Sequence, residues 1–148
     1  MCLDLSASIC GDDRADGGSP PLPTQAASYD GVLMVFMLSA VPPEKMRACV
    51  RNAFCLLKPG GKVFFRDYGL FDLTQLRFPA DQKLATKLYY RGDGTLSYFF
   101  SLEELAALFE KEGFTTLETD YVCVELYNRK KDFEMRRVFA HAVFQKPL

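Results

Sequence analysis

The sequence predicts an α/β domain whose short parallel sheet is closed by an antiparallel hairpin, and three features of the chain carry that reading. Gly31–Leu38 (GVLMVFML) is a continuously apolar run of strand length, too short for a buried helix. A helix-spaced apolar set follows it, and then a second β-prone run, Lys62–Tyr68 (KVFFRDY). Two long β-prone runs, Thr115–Tyr127 and Met135–Gln145, close the chain around the polar stretch Asn128–Asp132.

Ahead of these elements, Gly11–Ser28 is rich in Gly, Pro, Ser and Asp and has no hydrophobic period, which predicts a flexible surface loop. The run at Gly31–Leu38 then reads as a strand covered on both faces, as strands of parallel sheets are. Pro42-Pro43 opens a helix, because proline is tolerated in a first turn. Met46, Cys49, Val50, Ala53, Phe54 and Leu57 form its apolar face, and Glu44, Arg47 and Arg51 its solvated one. Lys58-Pro59-Gly60-Gly61 stops that helix before the strand at Lys62. Leu70–Leu96 shows no period and contains Gly92-Asp93-Gly94, so an irregular excursion is expected off the strand end, where insertions often carry function. Ser101 and Glu104 have the spacing of a capping box ahead of a stripe of Leu102, Leu105, Leu108 and Phe109, with Gly113 as the stop.

At 148 residues, 49% of them hydrophobic, the chain has room for one core. The 18 Lys plus Arg nearly balance 19 Asp plus Glu, so any nucleic-acid contact must come from a local basic patch. No apolar run approaches the roughly 20 residues that span a bilayer, and the first eleven residues lack the pattern of a signal peptide. These features lead us to expect a cytoplasmic protein with no membrane partner, a mitochondrial or nuclear location also being compatible. The five cysteines are scattered, with one histidine, His141, to join them, so neither a zinc set nor a disulfide framework is expected.

Four segments carry a resemblance to a known family: VFMLSAVPPEKM (Val35–Met46), LLKPGGKVFFRDYGLFDLTQLRF (Leu56–Phe78), YYRGDGTLSYFFSLEEL (Tyr89–Leu105) and NRKKDFEMRRVFAHAVFQKPL (Asn128–Leu148). Together they resemble the eukaryotic tRNA N3-methylcytidine methyltransferases. LKPGG is common to many class I methyltransferases, whereas FRDYG with LRF and YYRGDGT is far more specific. The resemblance implies a partial class I, Rossmann-like methyltransferase sheet, containing the fourth to seventh strands and the closing antiparallel hairpin. Residues 1–30 would then be a remnant of the third strand plus a flexible loop, and residues 31–148 the C-terminal half of the domain. The family's glycine-rich turn and the acidic residue that binds the ribose have no counterpart here. The absence of about three such hydrogen bonds is expected to weaken cofactor binding by roughly two to six orders of magnitude.

The implied cofactor is S-adenosylmethionine and the implied partner is tRNA. For some members, an aminoacyl-tRNA synthetase or other helper protein is a further partner. Leu3-Asp4-Leu5 resembles the step after the third strand, which puts Asp4 and Leu5 against the adenine, with Val35 lining the same pocket. On the substrate side, Arg66, Asp67 and Tyr68 end a strand where doubly wound sheets place ligands. Tyr68 would stack on a base, Arg66 would pair with a phosphate, and Asp67 would face the cationic methylated cytosine. Arg77, Arg91, Arg129, Lys130 and Lys131 are candidates for the RNA backbone, while His141 reads as a structural strand histidine. Two other readings stay open: a non-catalytic fragment that binds RNA or a partner, and a small-molecule methyltransferase of the same fold.

Overall fold

The parallel pair that organises the domain is made by β1 (Tyr29–Val35) and β2 (Leu57–Tyr68), joined by helix α1 (Pro43–Leu56). The computed structural model describes residues 27–129 and 132–148, so Met1–Leu3, Asp4, Leu5, Lys130 and Lys131 lie outside the described residues. β1 is shorter than the sequence predicts. It stops at Val35 because Phe36 takes a left-handed backbone (φ 49°), and Leu38 enters a one-turn 3₁₀ segment instead. β2 is longer than predicted: KPGG joins it as a kinked start. Gly60 supplies a positive φ of 78°, and the register with β1 shifts between Tyr29 and Gly31.

α1 begins as predicted, with Pro42 as N-cap, Pro43 in the first turn and Glu44 near the positive end of the helix dipole. Its last carbonyls are all occupied. Leu57 N–H donates to Ala53 O, Ala27 N–H to Cys55 O at 2.9 Å and Ser28 N–H to Leu56 O at 3.0 Å. The Lys146 ammonium donates to Phe54 O and Leu57 O, each at 2.8 Å. Cys49, buried, and Cys123, exposed, take part in no disulfide. Cys55, however, is disulfide-bonded, against the expectation that the cysteines form no disulfide framework.

The excursion after β2 is more ordered than predicted. It holds a short helix α2 (Leu73–Arg77) and an antiparallel meander of β3 (Lys83–Ala85), β4 (Leu88–Tyr90) and β5 (Leu96–Tyr98). Three-residue strands are too short to show a period. Helix α3 (Leu102–Glu110) starts after Ser101, but no side-chain cap forms there. Glu104 instead accepts from Lys87 Nζ at 2.8 Å and from Tyr98 OH at 2.5 Å, tying the meander to α3. Burial pulls the Glu104 carboxyl up, but these hydrogen bonds outweigh it and leave it below the usual range.

β6 (Thr115–Asn128) and β7 (Phe133–Gln145) make the predicted hairpin, and β7 inserts beside β2, giving the order β1-β2-β7-β6. One face of the sheet packs under α1 and α3: Met34, Val63, Phe65, Ala140, Ala142 and Phe144 join Cys49, Val50, Leu105 and Phe109 in a single core. The Phe109 and Phe144 rings stack there at 3.9 Å. On the other face Leu33 is 75% and Val35 50% exposed, with Phe64 beside them. The expectation that the first strand is covered on both faces is therefore corrected, because no helix of the described residues lies over that side.

Candidate functional site

Tyr68 ends β2 at the carboxyl edge of the parallel pair and is half-buried in a cluster of rings. Its ring lies 5.3 Å from Phe36, 5.7 Å from Phe99 and 6.4 Å from Phe139, which faces it across the β2–β7 ladder. The left-handed turn at Phe36, which shortened β1, brings that ring over the cluster. Gly69 follows because nothing larger fits: a Cβ there would stand 2.9 Å from the Tyr121 ring. The FRDYG glycine is thus a packing requirement.

Guanidinium groups surround these rings. Arg91 is 5.3 Å from the Tyr68 centroid, Arg66 is 4.8 Å from that of Phe139, and Arg137 lies within 5.7 Å of both. Arg91 is aimed by its turn. Its N–H donates to Thr95 O at 2.8 Å, Asp93 accepts from the Thr95 amide and hydroxyl, and Arg91 Nε donates to Ser97 Oγ at 3.0 Å. The Thr95 hydrogen bonds hold the Asp93 carboxyl below its ordinary value. YYRGDGT is therefore a built turn whose product is the position of one arginine.

Two carboxylates at this end, Asp67 and Asp72, are engaged inside the protein. Asp67 is fully buried and accepts from Ser39 N–H at 2.9 Å and Tyr68 N–H at 2.8 Å, with burial pushing its carboxyl up. It points away from the open side and pins the loop after β1, so it holds Phe36 against Tyr68 and does not face a base. Asp72, also fully buried, caps α2 through Thr74 N–H and accepts from Arg137 Nε and Val138 N–H, all three at 2.8 Å.

The arginines divide by partner. Arg47 and Arg51 bind Glu112, Arg136 binds Glu125, and Arg137 binds Asp72. Among the described residues, Arg66, Arg77, Arg91 and Arg129 have no carboxylate within ion-pair distance. Arg77 lies 4.2 Å from the Phe133 centroid, at the foot of the hairpin turn that carries Arg129. The structure therefore gathers Arg66, Tyr68 and Arg91 into one cluster and sets Arg77 beside it on α2. Phe36, Phe139 and Arg137 complete the cluster and were not singled out from sequence. The one hint for Arg137 was a charge pair, Arg136-Arg137, inside an alternating β run, where one of the two must turn inward.

Val35 stands half-exposed on the open face beside Leu33, an arrangement that fits an apolar wall against an adenine ring. Asp67 and Asp72 are turned inward, so neither offers a carboxylate to a ribose hydroxyl. His141 pairs with Arg66 across the ladder and lies 3.7 Å from Glu118, one step in from the edge.

The Methyltransferase domain family matches residues 10–119. The chain is 43% identical over 146 residues to the tRNA N(3)-cytidine methyltransferase METTL6 of Mus musculus, covering 99% of this chain and 50% of that protein. It is also 43% identical over 146 residues to O-methyltransferase 3 of Dictyostelium discoideum, covering 97% of this chain and 33% of that one. The chain thus spans half or less of the length of these relatives. Among solved structures, a SAM-dependent methyltransferase from Methanosarcina mazei superimposes with a TM-score of 0.63 at 21% identity, over 99% of this chain and 66% of that one. The α/β order, the ligand-edge cluster and these matches agree, and the chain belongs to the methyltransferase-domain family.

Proposed function

We propose that this chain is the substrate-facing half of an S-adenosylmethionine-dependent tRNA N3-cytidine methyltransferase. The observation that carries the reading is the set of four arginines toward one end of the sheet that have no carboxylate within ion-pair distance among the described residues, three of them laid over aromatic rings. Such a surface suits a polyanion with unpaired bases: guanidinium groups take phosphates and the rings take base faces. Tyr68 would orient the target base, with Arg66 and Arg91 holding its flanking phosphates. The cofactor supplies the methyl group when bound. The N3 atom of cytosine carries its own lone pair, so the nucleophile needs positioning and no base. An oxygen nucleophile, as the name of the Dictyostelium relative suggests for that protein, would need a proton acceptor. The buried carboxylates beside Tyr68, Asp67 and Asp72, are engaged internally, which favours the nitrogen nucleophile. A soluble helper protein or synthetase completing the site belongs to the same proposal, as does a cytoplasmic location; no helix among the described residues is long and apolar enough to cross a membrane.

The test is a salt titration of tRNA binding. The parent chain should bind with a steep salt dependence, and the Arg66→Ala/Arg91→Ala double variant should lower the slope of log K against log salt by roughly 2. Salt-insensitive binding, or a double variant that binds like the parent, overturns the proposal. Methylation of free metabolites by a full-length relative carrying these residues, with tRNA untouched, would favour the small-molecule reading instead.

A further inference from the structure

Three residues beyond Tyr68 the chain presents a second aromatic side chain that the cluster does not use. Phe71 is 73% exposed and has a φ of 64°, a left-handed conformation in which a Cβ crowds the neighbouring carbonyl. An exposed ring gains nothing from burial, so packing does not explain the strain. The turn is nonetheless locked from every side. Gly69 N–H donates to Val138 O at 2.9 Å, Leu70 N–H to Phe100 O at 3.0 Å, and Phe71 N–H to Gln75 Oε1 at 2.7 Å. The next residue, Asp72, is the buried carboxylate fixed by Arg137, Val138 and Thr74. A backbone held this firmly keeps an apolar ring in water at the ligand edge of the sheet. Leu76, 67% exposed, and Arg77, a cation without a carboxylate partner among the described residues, follow on α2.

We propose that Phe71 is a stacking platform for an unpaired nucleobase neighbouring the target nucleotide, with Arg77 taking the adjoining phosphate. This rests on the reading that the substrate is RNA. The occupant is argued from charge: among the described residues, Arg66, Arg77, Arg91 and Arg129 have no carboxylate within ion-pair distance, so their guanidinium groups are available to a phosphate backbone. A rigid exposed ring beside such cations is how single-stranded nucleic acid is held without sequence readout.

The experiment measures fluorescence anisotropy of the chain with two labelled RNAs, a stem with a seven-base loop (about the size of an anticodon loop) and a blunt duplex of the same length. Phe71→Gly relieves the left-handed strain, so its unfolding midpoint should equal or exceed the parent's. Its affinity for the looped RNA should fall by about 5- to 150-fold, the loss expected for one stacked base. Duplex binding should be unchanged, and Phe71→Trp should restore loop binding. Equal affinity of Phe71→Gly and parent for the looped RNA overturns the proposal, as does an equal loss on loop and duplex. If Arg66→Ala/Arg91→Ala weakens loop binding while Phe71→Gly does not, the platform fails and the RNA reading survives. If the parent binds neither RNA, both fail, and a protein surface becomes the better explanation of Phe71.

Discussion

The two faces of the four-stranded sheet are written in similar residues and meet opposite fates. On one, Met34, Val63, Phe65 and Phe144 are at most 1% exposed beneath α1 and α3. On the other, Leu33, Val35 and Phe64 are 75%, 50% and 41% exposed, and the face turns cationic toward the strand ends. Residue type therefore does not tell the faces apart; the covering helices do. The apolar effect acts only where a second layer removes water, so equal hydrophobicity carries unequal stability.

The largest expected effect follows from neighbouring phenylalanines. Phe65→Ala should destabilise the chain by about 3–5 kcal/mol in urea unfolding, whereas Phe64→Ala should cost under about 1 kcal/mol. Similar losses for both would mean that the open face is covered in solution. Next is the carboxylate joining α2 to β7. Asp72→Ala leaves Arg137 without its partner in a site where its side chain is only 19% exposed, and should cost about 3 kcal/mol. The same variant should loosen the turn at Phe71, read as faster amide exchange there.

A smaller, pH-dependent effect comes from the covered side. Burial pulls the Glu112 carboxyl up, but hydrogen bonds from Arg47 and Arg51 outweigh it and hold it below the ordinary value of 4.5. A depressed folded value stabilises above pH 4.5 and is lost as pH falls through the folded value. Asp67 has the opposite sign: its raised value imposes a cost that grows as pH climbs above 3.8. Glu112→Gln should therefore remove part of the acid sensitivity of the urea midpoint and leave the Asp67 contribution intact. An unchanged pH profile would show that the ion pairs are screened. The smallest change in stability is expected on the open face. Leu33→Lys should shift the unfolding free energy by no more than about 0.5 kcal/mol. It should also reduce self-association in sedimentation velocity, because it sets a charge on the exposed apolar face of β1. Unaltered self-association would place the contact elsewhere.

Much of the fold was legible because it is periodic. The spacing of Met46, Cys49, Val50 and Ala53 found α1, and the alternation through Phe139–Phe144 found β7. What escaped was non-local or non-periodic. Phe36 ends β1 through a backbone angle that no apolar pattern reports. Glu104 abandons its capping role for Lys87 and Tyr98, which lie on the meander that short strands concealed. In the candidate site, Arg66, Tyr68 and Arg91 were visible as strand-end and turn residues. Asp67 lies between two of them, and strand alternation turns it to the other face, but its partner there, Ser39, stands 28 residues earlier. Arg137 and Asp72 are separated by 65 residues, so nothing local joins them.

β7 stands between β2 and β6 although it follows both in sequence. During synthesis, β2 must therefore wait with one side unpaired while some seventy intervening residues leave the ribosome, a count of order set by the Tyr68–Phe139 pairing. β7 emerges after both of the strands that flank it, and the Lys146 bonds that finish α1 arrive with it. Chaperone dependence of the nascent chain should therefore fall abruptly once β7 has emerged, since one strand joins β2 to β6 and finishes the helix end together.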